Sequence, residues 1–315
     1  MFANVFTWLV VLAIAILFVW LVLKAWRSSR WYLKWPGAIL SGLLSLVLLA
    51  VCAASLNGMV KLYRTQSSPV QLTVEGTPEQ AQRGQYLANV FCVGCHSQNG
   101  ELPLTGGVDL VKDLSMPIGS MVSSNLTPAG PLKDWTDGEI FRALRQGIDR
   151  KGRILPTMST VNARYMSDED LKAVIAYLRS QPPVDHPTPE PPSQLNFLGA
   201  LVSGLGLVPP LPEVTGEIVA PPQAANAQYG AYILSYQDCR SCHGADLNGG
   251  TSQLTPKGPS LRAVKGCTQA QFIEAMRTGV TPDGVEFTDL MPWKYIGRMD
   301  DTDLGALYLY IASLK

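Results

Sequence analysis

The residues in this sequence most suited to chemistry are two matching groups of cysteine and histidine. Residues 92–96 read Cys-Val-Gly-Cys-His, and residues 239–243 read Cys-Arg-Ser-Cys-His. The C-x-x-C-H order is the attachment signature of c-type haem, because two thiols bond the porphyrin vinyl groups and the next histidine is then held beside the iron. The sequence therefore predicts two covalently attached haem c groups. The predicted attachment residues are Cys92, Cys95, His96, Cys239, Cys242 and His243.

Zinc binding and thiol redox chemistry are the alternatives for these motifs. A structural zinc site needs four ligands, usually with a second Cys or His pair at short spacing. Neither motif has such a pair, because the chain holds three histidines, at positions 96, 186 and 243. A redox-active C-x-x-C would not need a histidine after both copies. Haem attachment is therefore the favoured interpretation.

Two long apolar segments near the N-terminus predict a transmembrane helical hairpin at residues 1–65. Phe6 to Leu23 and Ala38 to Val60 contain 18 and 23 residues without a charge, close to the roughly 20 residues that span a bilayer. A secretory signal peptide does not fit, because the first basic residue, Lys24, follows the apolar segment instead of preceding it. Small residues at Ala38, Ser41, Gly42 and Ser45 predict close packing on the first helix or on another subunit.

The loop between the two segments predicts their orientation. It carries interleaved basic and aromatic residues, at Lys24, Trp26, Arg27, Arg30, Trp31, Tyr32, Lys34 and Trp35. Such residues mark the cytoplasmic boundary of a membrane. The rest of the chain is therefore predicted to lie on the periplasmic or extracellular side of a bacterial cytoplasmic membrane, which is the side on which haem c is attached.

Charge is unevenly distributed along the chain. Residues 1–65 hold six of the 25 basic residues and no acidic residue, so the remainder carries 19 basic and 25 acidic residues, a balance of −6. No basic tract predicts nucleic-acid binding. A mildly acidic face could steer a basic redox partner, or it is an ordinary solvated surface.

The sequence after the hairpin is an internal repeat. Residues 83–86, 141–147 and 166–171 correspond to residues 229–232, 273–279 and 299–304. Ser167 and Asp300 are predicted N-caps, with helices at about 169–180 and 302–314 after them. Gly84 and Gly230 precede the haem motifs, and they are predicted to let the last helix of each copy cross closely. Tyr177 and Tyr310 are the predicted packing partners.

Each copy resembles a class I cytochrome c domain, with the order helix, C-x-x-C-H, loop, helix, ligand methionine and final helix. The first copy resembles the cytochrome c subunit of membrane-bound alcohol and gluconate dehydrogenases. That resemblance rests on residues 123–128, 135–139, 142–147, 156–158 and 179–183. The class I resemblance implies all-α cytochrome c domains at 66–184 and 229–315, joined by a proline-rich linker at 185–228. With the hairpin at 1–65, which the resemblance to the dehydrogenase subunits does not include, the predicted fold class is all-α. Those subunits usually carry three haem motifs and this chain has two, so the resemblance does not identify the electron donor.

Methionine is the predicted sixth iron ligand, because three histidines cannot ligate both irons twice and a Met/His pair is usual for electron carriers. For the first haem the candidates are Met116, Met121, Met158 and Met166. The resemblance favours Met158, which follows Leu-Pro-Thr and precedes the last helix. Met291 is the candidate for the second haem. The predicted metal ligands are thus His96, Met158, His243 and Met291, and the alternative is an iron left open for a small ligand.

Two polar or proline-rich stretches lie outside the predicted helices. By resemblance, residues 125–127 lie near the haem edge, where they bond a propionate or form an ordinary surface loop. Residues 181–228 hold 11 of the 23 prolines and predict an extended, semi-rigid spacer. Within it, the apolar strip 195–211 could span a membrane by length, but this would place the second haem motif on the wrong side. The strip is therefore predicted to pack on the haem domains or to dock another subunit.

The predicted function is electron transfer by a membrane-bound dihaem cytochrome c. No catalytic base or nucleophile is evident beside the motifs, so the chain is predicted to be a carrier, or a non-catalytic subunit of an oxidoreductase complex. The expected partners are dehydrogenase or respiratory-complex subunits and a soluble cytochrome. Two alternatives are the tandem-haem subunit of a cbb3-type oxidase and a haem-based gas or redox sensor with an open iron.

Overall fold

The computed structural model describes residues 2–64, 71–112, 116–207, 212–251 and 256–314, and the chain is mostly helical. The helices in chain order are α1 (Phe2–Trp26), α2 (Trp31–Tyr63), α3 (Pro78–Leu87), α4 (Val93–His96), α5 (Asp137–Gln146), α6 (Asp168–Ser180), α7 (Phe197–Gly204), α8 (Ala227–Tyr236), α9 (Cys239–His243), α10 (Gln269–Thr278), α11 (Trp293–Ile296) and α12 (Asp301–Ser313). Two short antiparallel strands, β1 (Gly119–Met121) and β2 (Ser193–Leu195), pair with each other. This strand pair is a feature that the all-α prediction did not include.

Helices α1 and α2 form the N-terminal hairpin and pack along each other. The Trp8 indole N–H donates to the Cys52 carbonyl at 2.9 Å, and the Ser45 hydroxyl donates to the Ala15 carbonyl at 3.5 Å. The small-residue stripe of α2 therefore faces α1, which is the first of its two predicted partners. Both helices are long and apolar enough to cross a membrane, and many of their leucines and valines are exposed.

Close helix crossings build the two haem-motif copies. A methyl group added at Gly84 would overlap the Ala173 carbonyl and approach the Tyr177 Cβ to 2.9 Å, so α3 crosses α6 with backbone in contact. Gly230 meets Ala306 and Tyr310 in the same way, where α8 crosses α12. The predicted glycine crossings and their tyrosine partners are confirmed.

The predicted N-caps of the final helices are also confirmed. The Ser167 hydroxyl accepts from the Asp170 N–H at 3.1 Å, and the Asp300 carboxylate accepts from the Asp303 N–H at 2.8 Å. These caps satisfy backbone donors that would otherwise lack a partner in the first turn. Both final helices therefore begin within one residue of the predicted position.

The two copies contact each other through equivalent residues. The Tyr86 hydroxyl donates to Asp303 at 2.7 Å and accepts from the Asp300 N–H at 3.1 Å. The equivalent Tyr232 donates to Asp170 at 2.5 Å and accepts from the Ser167 N–H at 2.8 Å. Each tyrosine thus reaches the start of the last helix of the other copy. Such reciprocal contact is the pattern of a two-fold interface, here formed within one chain.

The proline-rich segment is hydrogen-bonded to both haem-motif copies. Near its start, the Val184 and His186 carbonyls accept hydrogen bonds from the Asn125 side-chain amide at 2.9 and 3.1 Å. Farther along, the Ile218 carbonyl accepts from the Asp168 N–H at 2.9 Å. Near its end, the Gln223 amide donates to Asp303 at 2.9 Å. The predicted spacer therefore forms hydrogen bonds with both copies.

Helix α7 occupies the described part of the apolar strip and lies across α2. A methyl group at Gly58 would overlap the Ala200 carbonyl, and one at Gly204 would overlap the Ala54 carbonyl. The Asn57 side-chain amide donates to the Gly204 carbonyl at 2.9 Å. The strip thus packs on the hairpin through α7, which was not predicted. Its first residues pack on the first haem-motif copy, as one of the two predictions had it: Leu195 pairs with Gly119, and the Asn196 N–H donates to the Ile118 carbonyl at 3.0 Å. Residues 208–211 of the strip lie outside the described residues.

Candidate haem sites

The first C-x-x-C-H motif lies on a short helical segment at the edge of an apolar cleft. Helix α3 continues through a π-helical turn, Ala88–Cys92, into α4. Cys92 and Cys95 are three residues apart, so both thiols project from one face of the turn. Both cysteines and His96 line a cleft with about 1540 Å³ of space including its open mouth. Its apolar walls include Phe91, Leu126, Leu132, Trp135, Ile140, Leu144 and Leu178.

A backbone carbonyl fixes the orientation of the His96 ring. The Nδ1 atom lies 3.1 Å from the Ser124 carbonyl oxygen, and a carbonyl can only accept, so Nδ1 carries the proton. The Nε2 lone pair is then free for a metal. Burial lowers the pKa of His96, which favours the neutral ring that coordinates iron. These features fit an axial haem ligand.

The cysteine thiols of this site are half-buried and protonated. Burial, with a smaller contribution from Cys95, raises the pKa of Cys92 to about 12. Burial also raises the pKa of Cys95, and the nearby Asp238 carboxylate adds to the shift. Among the described residues, no three His, Cys, Asp or Glu side chains form a cluster that could hold a metal ion.

Met158 lines the same cleft as the first motif. Its loop is anchored at both sides of the methionine: the Leu155 N–H donates to the Gly147 carbonyl at 2.7 Å, and the Ser159 carbonyl accepts from Arg164 Nη2 at 2.7 Å. Gly147 ends α5 in the left-handed conformation, with φ 67°. The structure therefore brings Cys92, Cys95, His96 and Met158 to one cleft, as the haem interpretation requires.

The other methionine candidates differ in position. Met121 also lines the cleft, and its sulfur accepts from the Thr157 hydroxyl at 3.3 Å. Met166 also lines the cleft, and it is 1% exposed within the hydrophobic core, which agrees with its predicted packing role. Met116 is exposed. Met121 and Met166 thus share the cleft with Met158, and Met121, the less buried of the two, is the stronger competitor of Met158 as an iron ligand.

The second motif repeats the arrangement of the first. His243 is buried on α9, and its Nδ1 lies 2.7 Å from the Pro259 carbonyl oxygen, which again leaves Nε2 free. Gly258 backs the ring, because a methyl group there would lie 2.7 Å from Nδ1. Burial, more than the nearby Asp238, raises the pKa of Cys239 to about 12. The residues present therefore fit a second haem.

The loop that carries Met291 follows α10 as the Met158 loop follows α5. The Phe287 N–H donates to the Gly279 carbonyl at 2.7 Å, and Gly279 ends α10 with φ 75°. Met291 itself is half-buried against the core of its copy. This equivalence supports Met291 as the counterpart of Met158.

The two motifs share an interface. Asp238, which immediately precedes Cys239, lines the first cleft and accepts from the Asn162 N–H at 3.3 Å. Burial raises the pKa of Asp238 to about 6. The Phe91 and Tyr236 rings, from opposite copies, meet edge to face with centroids 6.3 Å apart. The Tyr295 ring of the second copy lies against Gly94 of the first.

Several of these roles were not predicted from the sequence. The carbonyls of Ser124 and Pro259 carry no side-chain signal, so their contacts with the histidines could not be found from residue types. Asn125 and Thr127 were predicted near the haem edge. Both side chains are buried, and both donate hydrogen bonds to the Val184 carbonyl. Neighbouring Leu126 is the residue of this trio that lines the cleft.

Comparison with known proteins agrees with this geometry. The model of the cytochrome c family matches residues 81–182 and 227–315. The gluconate 2-dehydrogenase cytochrome c subunit of Pantoea cypripedii is 37% identical over 99 residues, which are 30% of this chain and 22% of that protein. The alcohol dehydrogenase (quinone) cytochrome c subunit of Gluconacetobacter polyoxogenes is 32% identical over 144 residues, covering 41% and 29%.

A longer match is to a subunit of a different dehydrogenase. This nicotinate dehydrogenase subunit of Pseudomonas putida is 29% identical over 280 residues, which are 80% of this chain and 23% of that protein. The chain thus spans less than a third of the length of each of these relatives.

Proposed function

The chain belongs to the cytochrome c family, and from that premise we propose that it is a membrane-anchored dihaem cytochrome that carries electrons on the periplasmic side. The observation that carries this proposal is the duplicated histidine geometry. In each motif the ring Nδ1 donates to a backbone carbonyl, at 3.1 and 2.7 Å, which leaves Nε2 for iron. A chance pair of cysteines and a histidine would not reproduce this arrangement twice.

The proposed roles of the residues follow from their positions. Cys92 and Cys95 would hold the first haem, and His96 and Met158 would ligate its iron. Cys239 and Cys242 would hold the second haem, and His243 and Met291 would ligate its iron. Bound haem supplies an iron that gains or loses one electron, and Met/His ligation keeps its potential high. Electron transfer changes the oxidation state of iron and alters no substrate bond, so the proposed function involves no catalytic base.

The contact between the copies supports electron exchange inside the chain. Asp238 of the second copy lines the cleft of the first, and the Phe91–Tyr236 and Tyr295–Gly94 contacts lie beside the two motifs. The reciprocal Tyr86 and Tyr232 hydrogen bonds hold the copies in one orientation. We infer that both haems belong to one rigid redox unit.

The hairpin supports membrane anchoring and the periplasmic orientation. At the turn between α1 and α2, the Trp26 and Trp35 rings pack edge to face with centroids 5.3 Å apart. The Lys34 ammonium lies 4.7 Å from the Trp26 ring centroid. Basic and aromatic residues of this kind favour the cytoplasmic interface. Both haem motifs would then lie outside, on one side of the membrane.

The names of the relatives favour a dehydrogenase as electron donor. Two of them are cytochrome c subunits of gluconate and alcohol dehydrogenases. We propose that this chain is likewise a non-catalytic electron-transfer subunit. A native gel stained for haem, after mild detergent extraction and with mass spectrometry of the band, tests this. A dehydrogenase subunit in the band supports the assignment, whereas oxidase subunits would place the chain in a respiratory oxidase instead.

Spectra of methionine variants test the haem assignments. We expect Met158→Ala and Met291→Ala each to remove one haem's Met-to-iron absorption band and to lower one reduction potential. Met121→Leu is the matched control, because Met121 lines the same cleft as Met158. Loss of the band in Met121→Leu and not in Met158→Ala would assign the ligand to Met121. Rapid carbon monoxide binding by the reduced wild-type protein would favour a sensor with an open iron.

A further inference from the structure

The described end of the apolar strip is a feature that the haem sites do not use. No charged residue occurs between Glu190 and Glu213. Within this stretch, the side chains of α7 are buried or half-buried, and the residues directly after it are exposed, with Leu205 57% and Leu207 53% exposed. Nothing in the described part of the chain covers these two leucines. An uncharged, exposed apolar segment of this kind needs a partner of matching chemistry.

The position of α7 along α2 indicates which partner. The crossing is made at Ala54 and Gly58. Measured from Ala38, where the apolar part of α2 begins, these residues lie about 24 and 30 Å along the helix at 1.5 Å per residue. The hydrocarbon core of a bilayer is about 30 Å thick. With the tryptophan-rich loop at the cytoplasmic face, the crossing therefore falls at the outer edge of the hydrocarbon.

Hydrogen bonds beside the crossing of α7 and α2 agree with a position at the outer edge of the hydrocarbon. The Asn57 amide donates to the Gly204 carbonyl at 2.9 Å, and the Asn4 amide of α1 donates to the Leu195 carbonyl at 2.7 Å. Asn4 and Asn57 thus lie at the same end of the hairpin. Asn4 donates to a carbonyl two residues before α7, and Asn57 donates to the carbonyl of the last residue of α7. A helix terminus that enters lipid needs such partners, because water is absent there.

We propose that α7 is an interfacial helix and that Leu205 and Leu207, which directly follow it, insert into the outer leaflet of the membrane. The partner is lipid acyl chains, and α7 therefore holds the first haem site close to the membrane surface. This inference rests on the proposed membrane anchoring of the hairpin. A water-exposed docking strip for a second protein is the competing outcome of the test.

Cysteine accessibility measures the environment of α7 directly. The full-length holoprotein, with Cys52→Ala and Cys267→Ala, receives Leu205→Cys or Leu207→Cys and is reconstituted in vesicles of phosphatidylethanolamine and phosphatidylglycerol. The probe is a membrane-impermeant polyethylene-glycol maleimide, and a haem-stained gel reports the labelled fraction. Val219→Cys, at a residue 76% exposed beyond α7, is the aqueous control. Leu46→Cys, at a residue 66% exposed on α2, is the membrane control.

We expect Leu205→Cys and Leu207→Cys to react at least about tenfold more slowly than Val219→Cys, because the reactive thiolate forms in water. All variants should react equally after denaturation in detergent. Labelling of both leucine positions as fast as Val219→Cys, with Leu46→Cys still protected, would overturn the α7 proposal and leave the anchor intact. Fast labelling of Leu46→Cys would overturn the anchor and the α7 proposal together.

Discussion

At the residue scale, Asp238 combines burial with a position between the two haem motifs. It precedes an attachment cysteine of the second copy and lines the cleft of the first. Its carboxylate accepts from the Asn162 N–H, and that hydrogen bond favours the charged form. Burial outweighs the hydrogen bond and raises the pKa to about 6 from the ordinary 3.8. The folded chain therefore binds a proton here more tightly than the unfolded chain does.

This shift predicts a pH dependence of stability. A raised carboxyl pKa favours folding below pH 3.8, and the advantage is lost as pH rises through about 6. Asp238→Asn keeps an acceptor for Asn162 and removes the titration. Relative to the variant, wild type should therefore lose stability between pH 4 and pH 7, by no more than about 3 kcal/mol. Thermal unfolding midpoints of both proteins across this range measure the difference.

An exposed carboxylate provides the control for Asp238. Asp283 lies on the surface of the second copy, so Asp283→Asn should follow wild type at every pH. A wild-type to Asp238→Asn difference that stays constant with pH would contradict the prediction.

At the element scale, two glycines decide how closely the helices of each copy cross. Backbone of α3 touches backbone of α6 at Gly84, and α8 touches α12 at Gly230. In each copy the first of these helices leads into a haem motif. The crossing therefore also positions the attachment cysteines over the core.

Adding one methyl group at either crossing should separate the helices. Gly84→Ala or Gly230→Ala would place a Cβ inside the contact distance of the Ala173 or Ala306 carbonyl. We expect a loss of about 3 kcal/mol in the free energy of unfolding, in the range for overpacked cores. Gly266→Ala is the control, because no atom lies within 4 Å of the added methyl there. Equal stability of all three variants would exclude tight crossings.

At the scale of the whole molecule, the two copies form one unit through reciprocal tyrosines. Tyr86 and Tyr232 each accept a backbone N–H and donate to a carboxylate of the opposite copy. Burial raises the pKa of both phenols, and the carboxylates add to the shift. Both side chains therefore remain neutral donors at physiological pH.

Removing both hydroxyls should uncouple the copies. Tyr86→Phe with Tyr232→Phe leaves two backbone N–H groups without partners, at about 1–3 kcal/mol each. We expect calorimetric unfolding of the haem domains to separate into two transitions. The control Tyr308→Phe loses a hydrogen bond to Cys267 inside the second copy and should lower stability while one transition remains. A single transition in the double variant would mean that other contacts hold the copies together.

Much of the fold could be predicted because its signals are local. Apolar length specified α1 and α2, and the caps at Ser167 and Asp300 specified where α6 and α12 begin. The position of α7 could not be predicted in this way. Its uncharged sequence fits a spanning segment, a buried strip or a docking surface equally well, and its crossing with α2 depends on contacts between residues distant in the sequence.

The sequence by itself determined the chemistry that this chain can hold. Two C-x-x-C-H motifs specify attachment, because the order of thiols and imidazole is a covalent requirement within five residues. Only the tertiary structure decided which carbonyls orient His96 and His243, that Met121 shares a cleft with Met158, and that the two motifs share an interface. Those contacts join backbone atoms and surfaces from distant parts of the chain. Residue types and spacing do not indicate such contacts, because a backbone carbonyl is the same in every residue.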